Sequence, residues 1–175
     1  IWCPDCETAI SQVETEDDEQ HSHFNDIEFE LAGEEGSFTI STTRPELLPA
    51  CVAVFVHPED EENRELAGKK AEVPLFGHEV PIIEDERVDM ETGSGIVMCC
   101  TFGDQTDIEW YKAHDLDLRV AIDESGTMTE TAEKYEGMDT EEASEAIVSD
   151  LEKEGSLKAR REITHTVQVH ERCEE

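Results

Sequence analysis

A chain of 175 residues has the length of one ordinary domain and can bury about 70% of its unfolded surface, so a sizeable core is available. Its 46 acidic and 13 basic residues give a formal charge of −33, spread along the whole sequence with no acidic tail. This excludes a basic nucleic-acid patch and reads as the solvated surface of a folded protein adapted to high salt, where self-repulsion is screened. No apolar run approaches membrane-span length, and the start Ile1-Trp2-Cys3 lacks the basic-then-apolar order of a signal peptide. The expected compartment is the cytosol, with no membrane partner.

The chain opens on Cys3-Pro4-Asp5-Cys6, a knuckle of metal-ligand spacing, and His170-Glu171-Arg172-Cys173 repeats that spacing at the other end. Three thiolates and one imidazole form a tetrahedral zinc set, so Cys3, Cys6, His170 and Cys173 are the candidate ligands of a structural zinc. The expected organisation is one domain over 1–175, with a zinc knuckle joining residues 1–8 and 168–175. Cys51, Cys99 and Cys100 lie in apolar runs, where a thiol serves as a small hydrophobe.

Residues 11–26 are polar, acidic and aperiodic, and read as a loop with His21 and His23 solvated. Ile27, Phe29 and Leu31 then alternate with glutamates, as do Phe38, Ile40 and Thr42 with their neighbours, across Gly33-Glu34-Glu35-Gly36. This predicts a hairpin with one buried face. Pro45 ends the second strand, Cys51 to Val56 is a further apolar strand, and Glu59 to Ala67 suits a short helix stopped by Gly68. Val73 to Phe76 and Val80 to Ile83 read as short strands, and Pro74 and Pro81 imply edge positions.

Gly93-Ser94-Gly95 is a turn able to take backbone angles other residues avoid, leaving room for close approach to the main chain. The uncharged run Ile96 to Thr101 predicts a strand covered on both faces, broken by Gly103. Asp104 reads as a helix N-cap, and Asp107 falls in the first turn. A glycine turn and a strand end meeting at a helix start is the usual build of a ligand pocket. Beyond it come a strand over Arg119 to Ile122, a turn at Asp123-Glu124-Ser125-Gly126, and a helix capped by Thr140. That helix has the apolar face Ala143, Ala146, Ile147 and Leu151 and is closed by Gly155; an extended piece follows at Thr166 to Val169. The fold class expected is α+β and β-rich, a distorted β-barrel or curved sheet with peripheral helices.

Cys99 or Cys100 as nucleophile with His114 as base is disfavoured, since an apolar strand raises a thiol's pKa. No phosphate loop and no nucleophilic-serine elbow is present. What remains is a pocket of carboxylates beside Thr42-Thr43-Arg44, suited to an ammonium group on Asp104 and Asp107 and a phosphate or ribose on Arg44.

Thr42-Thr43-Arg44-Pro45-Glu46, Val52-Ala53-Val54, His57-Pro58-Glu59-Asp60, Gly68-Lys69, Gly93-Ser94-Gly95 and Thr101-Phe102-Gly103-Asp104-Gln105-Thr106-Asp107 follow one another at set separations. Together they closely resemble the editing domain inserted in valyl-tRNA synthetase, of the archaeal kind, over nearly the whole chain. The resemblance implies a β-barrel-like insert joined to a Rossmann catalytic body that uses ATP, and this chain has no aminoacylation motifs of its own. The activity implied is hydrolysis of threonine misattached to valine tRNA, with the threonine-bearing 3′ end of tRNA(Val) and the catalytic body as partners. Asp107 would hold the α-ammonium with Asp104 beside it. Thr42, Thr43, Arg44, Gly93, Gly95 and Phe102 would surround the terminal adenosine and the ester, with Thr43 among the catalytic groups and no dedicated protein base. Leu47, Met98 and Gly103 stand where many members carry Thr, Lys and His. Two alternatives are the isoleucyl editing domain, which removes valine, and a non-catalytic zinc-stapled binding module; the Thr101-Phe102-Gly103-Asp104 segment argues against the first.

Overall fold

The computed structural model describes residues 2, 3, 6, 8–11, 15–100 and 105–170, with strand residues 17, 20, 165, 167, 168 and 170 described by backbone alone. At the start of the chain β1 (Trp2–Cys3) pairs antiparallel with β2 (Thr8–Ala9), while Pro4 and Asp5 of the expected knuckle lie outside the described residues. The Trp2 ring donates its Nε1–H to the Glu124 carbonyl at 2.8 Å, fastening this strand pair to the Asp123–Gly126 turn.

The predicted apolar hairpin is present as β3 (Thr15–Leu31) and β4 (Ser37–Thr42). Ile27 faces Ile40 and Phe29 faces Phe38, whose rings stack 5.7 Å apart. The loop expected over 11–26 is corrected, because β3 begins at Thr15 and its first half pairs with β9 (Leu157–His170) from Thr15↔His170 to Asn25↔Arg160. That half carries no apolar alternation because no core lies beneath it. Its order comes from backbone hydrogen bonds to a strand more than a hundred residues away, which no local pattern reports.

Six strands follow the order β4, β3, β6 (Lys70–Glu72), β7 (Glu79–Glu84), β5 (Ala53–Val56) and β8 (Ile96–Cys99), with β9 added beside β3. β8 returns beside β4, so the sheet closes nearly into a barrel, as the β-rich pattern predicted. β5 explains its own continuous apolar run. Val54 and Val56 join the main core with Phe29, Leu48 and Ile82, while Ala53 and Phe55 belong to a second cluster with Cys99 and Trp110. That second cluster lies under helix α1 (Gln105–His114), where the Phe55 and Trp110 rings stack at 4.4 Å. Burying a side chain such as Phe55 contributes about 1.5–3 kcal/mol, which ties α1 firmly to the sheet.

Helix α2 (Thr140–Glu154) seals the other side with Ala143, Ile147 and Leu151, as predicted, and ends on Gly155 at φ 85°. Its cap is Asp139 in place of Thr140, since the Asp139 carboxylate accepts the Glu142 N–H at 2.8 Å.

Four further expectations are corrected. Glu59 to Ala67 forms turns and a 3-10 turn at Arg64–Leu66, because Asp60 Oδ1 takes the Glu62 and Asn63 N–H groups that a helix would use. The strand expected at Val73 to Phe76 lies earlier, at Lys70–Glu72, and the chain turns at Pro74 with Leu75 at φ 68°. β7 is interior despite Pro81: its parallel ladder with β5 starts at Ile82, one residue after the missing donor. Arg119 to Ile122 contributes only the bridge Ile122↔Met128, and the Arg119 side chain donates to the Pro49 carbonyl.

Candidate functional site

The Thr-Thr-Arg corner forms where β4 runs out. The Thr42 hydroxyl accepts the Arg44 N–H at 3.0 Å, turning the chain into a 3-10 turn at Pro45–Ala50, with Pro45 where its fixed φ suits. Arg44 is half exposed and its Nε donates to Glu46 Oε1 at 2.9 Å, while the Glu46 side chain is only 8% exposed. The buried carboxylate thus holds the guanidinium at the corner.

Gly93 lies against the end of β4. A Cβ there would come 3.0 Å from the Ser41 Cβ, and φ is 62°. At Gly95, φ 73°, a Cβ would meet Asp60 Oδ2 at 3.1 Å and the Met90 carbonyl at 3.3 Å. The close approach expected at these glycines is therefore made by the protein's own chain, and it seats the turn beside the residue preceding Thr42. Asn63 completes the clasp, donating to Asp60 Oδ2 at 2.7 Å and to the Ser94 carbonyl at 3.2 Å. The Asn63 hydrogen bond holds the Asp60 carboxyl below its usual range, and burial only partly opposes it.

Asp107 stands in the first turn of α1, as predicted, but it is 6% exposed and its Oδ2 accepts the Cys100 N–H at 3.3 Å. The aspartate ties the helix start to the end of β8. Cys100 is buried, and a hydrogen bond with Cys51, reinforced by burial, pushes its thiol well above the ordinary cysteine range. His114 is committed elsewhere, with Nε2 2.8 Å from Asp85 Oδ2 and its ring tilted against Phe55. The cysteine–histidine reading thus fails on both partners, as the strand argument anticipated. Phe102 and Asp104 lie outside the described residues.

At the chain ends, Cys3 is buried and Cys6 exposed, and the backbone of His170 faces that of Thr15. The side chain of His170 and the whole of Cys173 lie outside the described residues. Among the described residues no three His, Cys, Asp or Glu side chains converge on a metal position. Sequence reasoning quoted Glu46 only as part of the Thr42–Glu46 motif, without its tie to Arg44, and missed Asn63 and Asn25. Of the last two, Asn25 left a legible sign, a polar residue in register with Ile27, Phe29 and Leu31.

The barrel matches, with a TM-score of 0.60 over 83% of this chain and 20% of the other, a chain in the crystal structure of the Agrobacterium radiobacter K84 agnB2 LeuRS-tRNA-LeuAMS ternary complex; identity is 18%, so the likeness speaks for the fold. The sequence model described as leucyl-tRNA synthetase, editing domain, matches residues 57–164. The chain belongs to this family of synthetase editing domains. Within it the similarity is to the archaeal valyl type: 71% identity to valine--tRNA ligase of Haloarcula marismortui over 100% of the chain, and 52% to that of Methanocaldococcus jannaschii over 98%. The chain spans about one fifth of each of these relatives, 20% in both cases. Among the described residues no helix is long and apolar enough to cross a membrane.

Proposed function

We propose that this domain hydrolyses threonine from tRNA(Val). The observation that carries the reading is the overlap of two likenesses. A full-length similarity to a fifth of valine--tRNA ligases coincides with an editing-domain match over 57–164. The need is physical, and valyl enzymes are its established case: a pocket for valine rejects the isosteric threonine by only about 10², so a second site must remove it.

In this reading the Asp107 carboxylate pairs with the α-ammonium of the esterified threonine, with Asp104 beside it. The corner Thr42, Thr43 and Arg44 and the turn at Gly93 and Gly95 hold the terminal ribose and the ester. Water attacks the ester carbonyl, the bond to the ribose oxygen breaks, and the proton ends on that oxygen, leaving free threonine and an intact tRNA. Neither Cys100 nor His114 supplies a base, so the gain comes from positioning. The ends of the chain bind zinc through Cys3, Cys6, His170 and Cys173, a donor set of the kind that closes structural sites. The tRNA end and the catalytic body of the parent synthetase are the partners.

The test is deacylation by this chain, in molar potassium chloride, of tRNA(Val) charged with threonine and of tRNA(Ile) charged with valine. Release of threonine alone supports the reading. Preferential release of valine indicates the isoleucyl type, and release of neither a binding module.

A further inference from the structure

On a chain of charge −33 most of the surface is a coat of carboxylates, so a place where apolar side chains break that coat is informative. Residues 117–120, which lead out of α1, make such a place by reversing the usual order of charge outside and apolar groups inside. Arg119 turns back to the barrel and gives its Nε–H to the Pro49 carbonyl at 2.8 Å, and Ala121 is buried. Leu118 and Val120 stand outward at 54% and 51% exposure, the highest values of the large apolar side chains among the described residues. The arrangement forgoes the burial of two aliphatic groups, which a covering surface would recover.

Trp2 joins them. Its Nε1–H is held by the Glu124 carbonyl at 2.8 Å and its ring is nearly half exposed. Glu124 lies four residues beyond Val120, at most about 14 Å of chain. Three of the four exposed large apolar side chains among the described residues thus gather at one corner, beside the β1–β2 pair; the fourth is Met90.

We propose that this corner, formed by Leu118, Val120 and Trp2, docks on an apolar patch of the catalytic body of the parent synthetase and fixes the angle at which the domain is carried. This rests on reading the chain as an insert in a valyl-type synthetase. Four fifths of each relative lies outside the matched stretch, and in such an insert β1 is the strand that receives the chain from the body. Leu118 and Val120 offer no charge to a phosphate, which sets the tRNA aside, and a second copy would bring its own −33 against this one. Because one polypeptide carries both bodies, they meet at an effective concentration on the order of millimolar, and a contact smaller than a free complex needs is enough to hold them.

The test is hydrogen exchange, read by mass spectrometry in molar potassium chloride, on the whole synthetase that carries this domain, with and without Leu118→Asp and Val120→Asp together. One segment of the catalytic body is expected to exchange about tenfold faster in the variant, while α2 around Ile147 and Leu151 keeps the parent rate. Should α2 also speed up, the fold itself has loosened, and the milder pair Leu118→Ser and Val120→Thr is read against the same expectation. No response in any body segment overturns the proposal. A response that appears only with tRNA present assigns the corner to RNA, and one that grows with protein concentration assigns it to a second copy; either overturns it too. Threonine release by this chain tests the editing reading separately: release without a body response overturns the docking alone, and a body response without release overturns the editing reading alone.

Discussion

Replacing Asp107 separates a structural from a chemical role, because the structure shows the first and the editing reading requires the second. The carboxylate accepts the Cys100 N–H at 3.3 Å and is 6% exposed. Asp107→Ala strands that buried donor and should cost about 1–3 kcal/mol, more than the helix-start charge alone at about 0.3–1 kcal/mol. For a domain of this size that lowers Tm by roughly 2–4 °C per kcal/mol. Asp107→Asn retains an oxygen for Cys100 and removes only the charge, so its stability should fall by about 1 kcal/mol or less. Its activity should fall far more. Loss of an ion pair with the substrate ammonium is worth about 2–4 kcal/mol, roughly 30- to 1000-fold in threonine release. The assay is single-turnover deacylation of threonyl-tRNA(Val) beside a thermal melt of each variant. A folded Asp107→Asn protein with wild-type turnover would refute the ammonium assignment and leave Asp107 as a tie between α1 and β8.

Protein purified without chelator should carry one zinc, lost on Cys6→Ser, and metal analysis finding none would refute the terminal site; removing the metal should lower stability because that site exists only in the folded chain. With a charge of −33, the fold should loosen at 0.01 M salt, where screening extends over about 30 Å, and recover near 1 M, where it acts within about 3 Å. A Tm unchanged across that range would count against the charge argument. Burial alone would raise the Asp85 carboxyl, but donors from His114 and the Arg87 N–H outweigh it and hold its pKa below the ordinary range. A depressed carboxyl stabilises the fold above its unfolded value, near 3.9, and that stability is lost as pH falls through the folded one. Melts of Asp85→Asn should therefore decline less steeply below about pH 4 than the parent, and parallel declines would show the pair to be immaterial.

Where side chains report their surroundings locally, the sequence alone was sufficient. The alternation at Ile27, Phe29, Phe38 and Ile40, the unbroken run into Val56, the face of α2 and its stop at Gly155 all stand in the structure, because each depends on a period set by backbone geometry. The ordered motifs around Thr42–Glu46 and Asp107 likewise made the family legible before any coordinate. Tertiary structure alone decided the rest. The arm from Thr15 exists through pairing with residues up to His170, and Asp60 prefers to bind its own backbone over starting a helix. Gly93 and Gly95 are required by Ser41 and Asp60, and the buried Asn25 reaches the Thr42 carbonyl only across the sheet. These are contacts between residues far apart or unlike in pattern, and a local period cannot encode what a distant strand brings alongside.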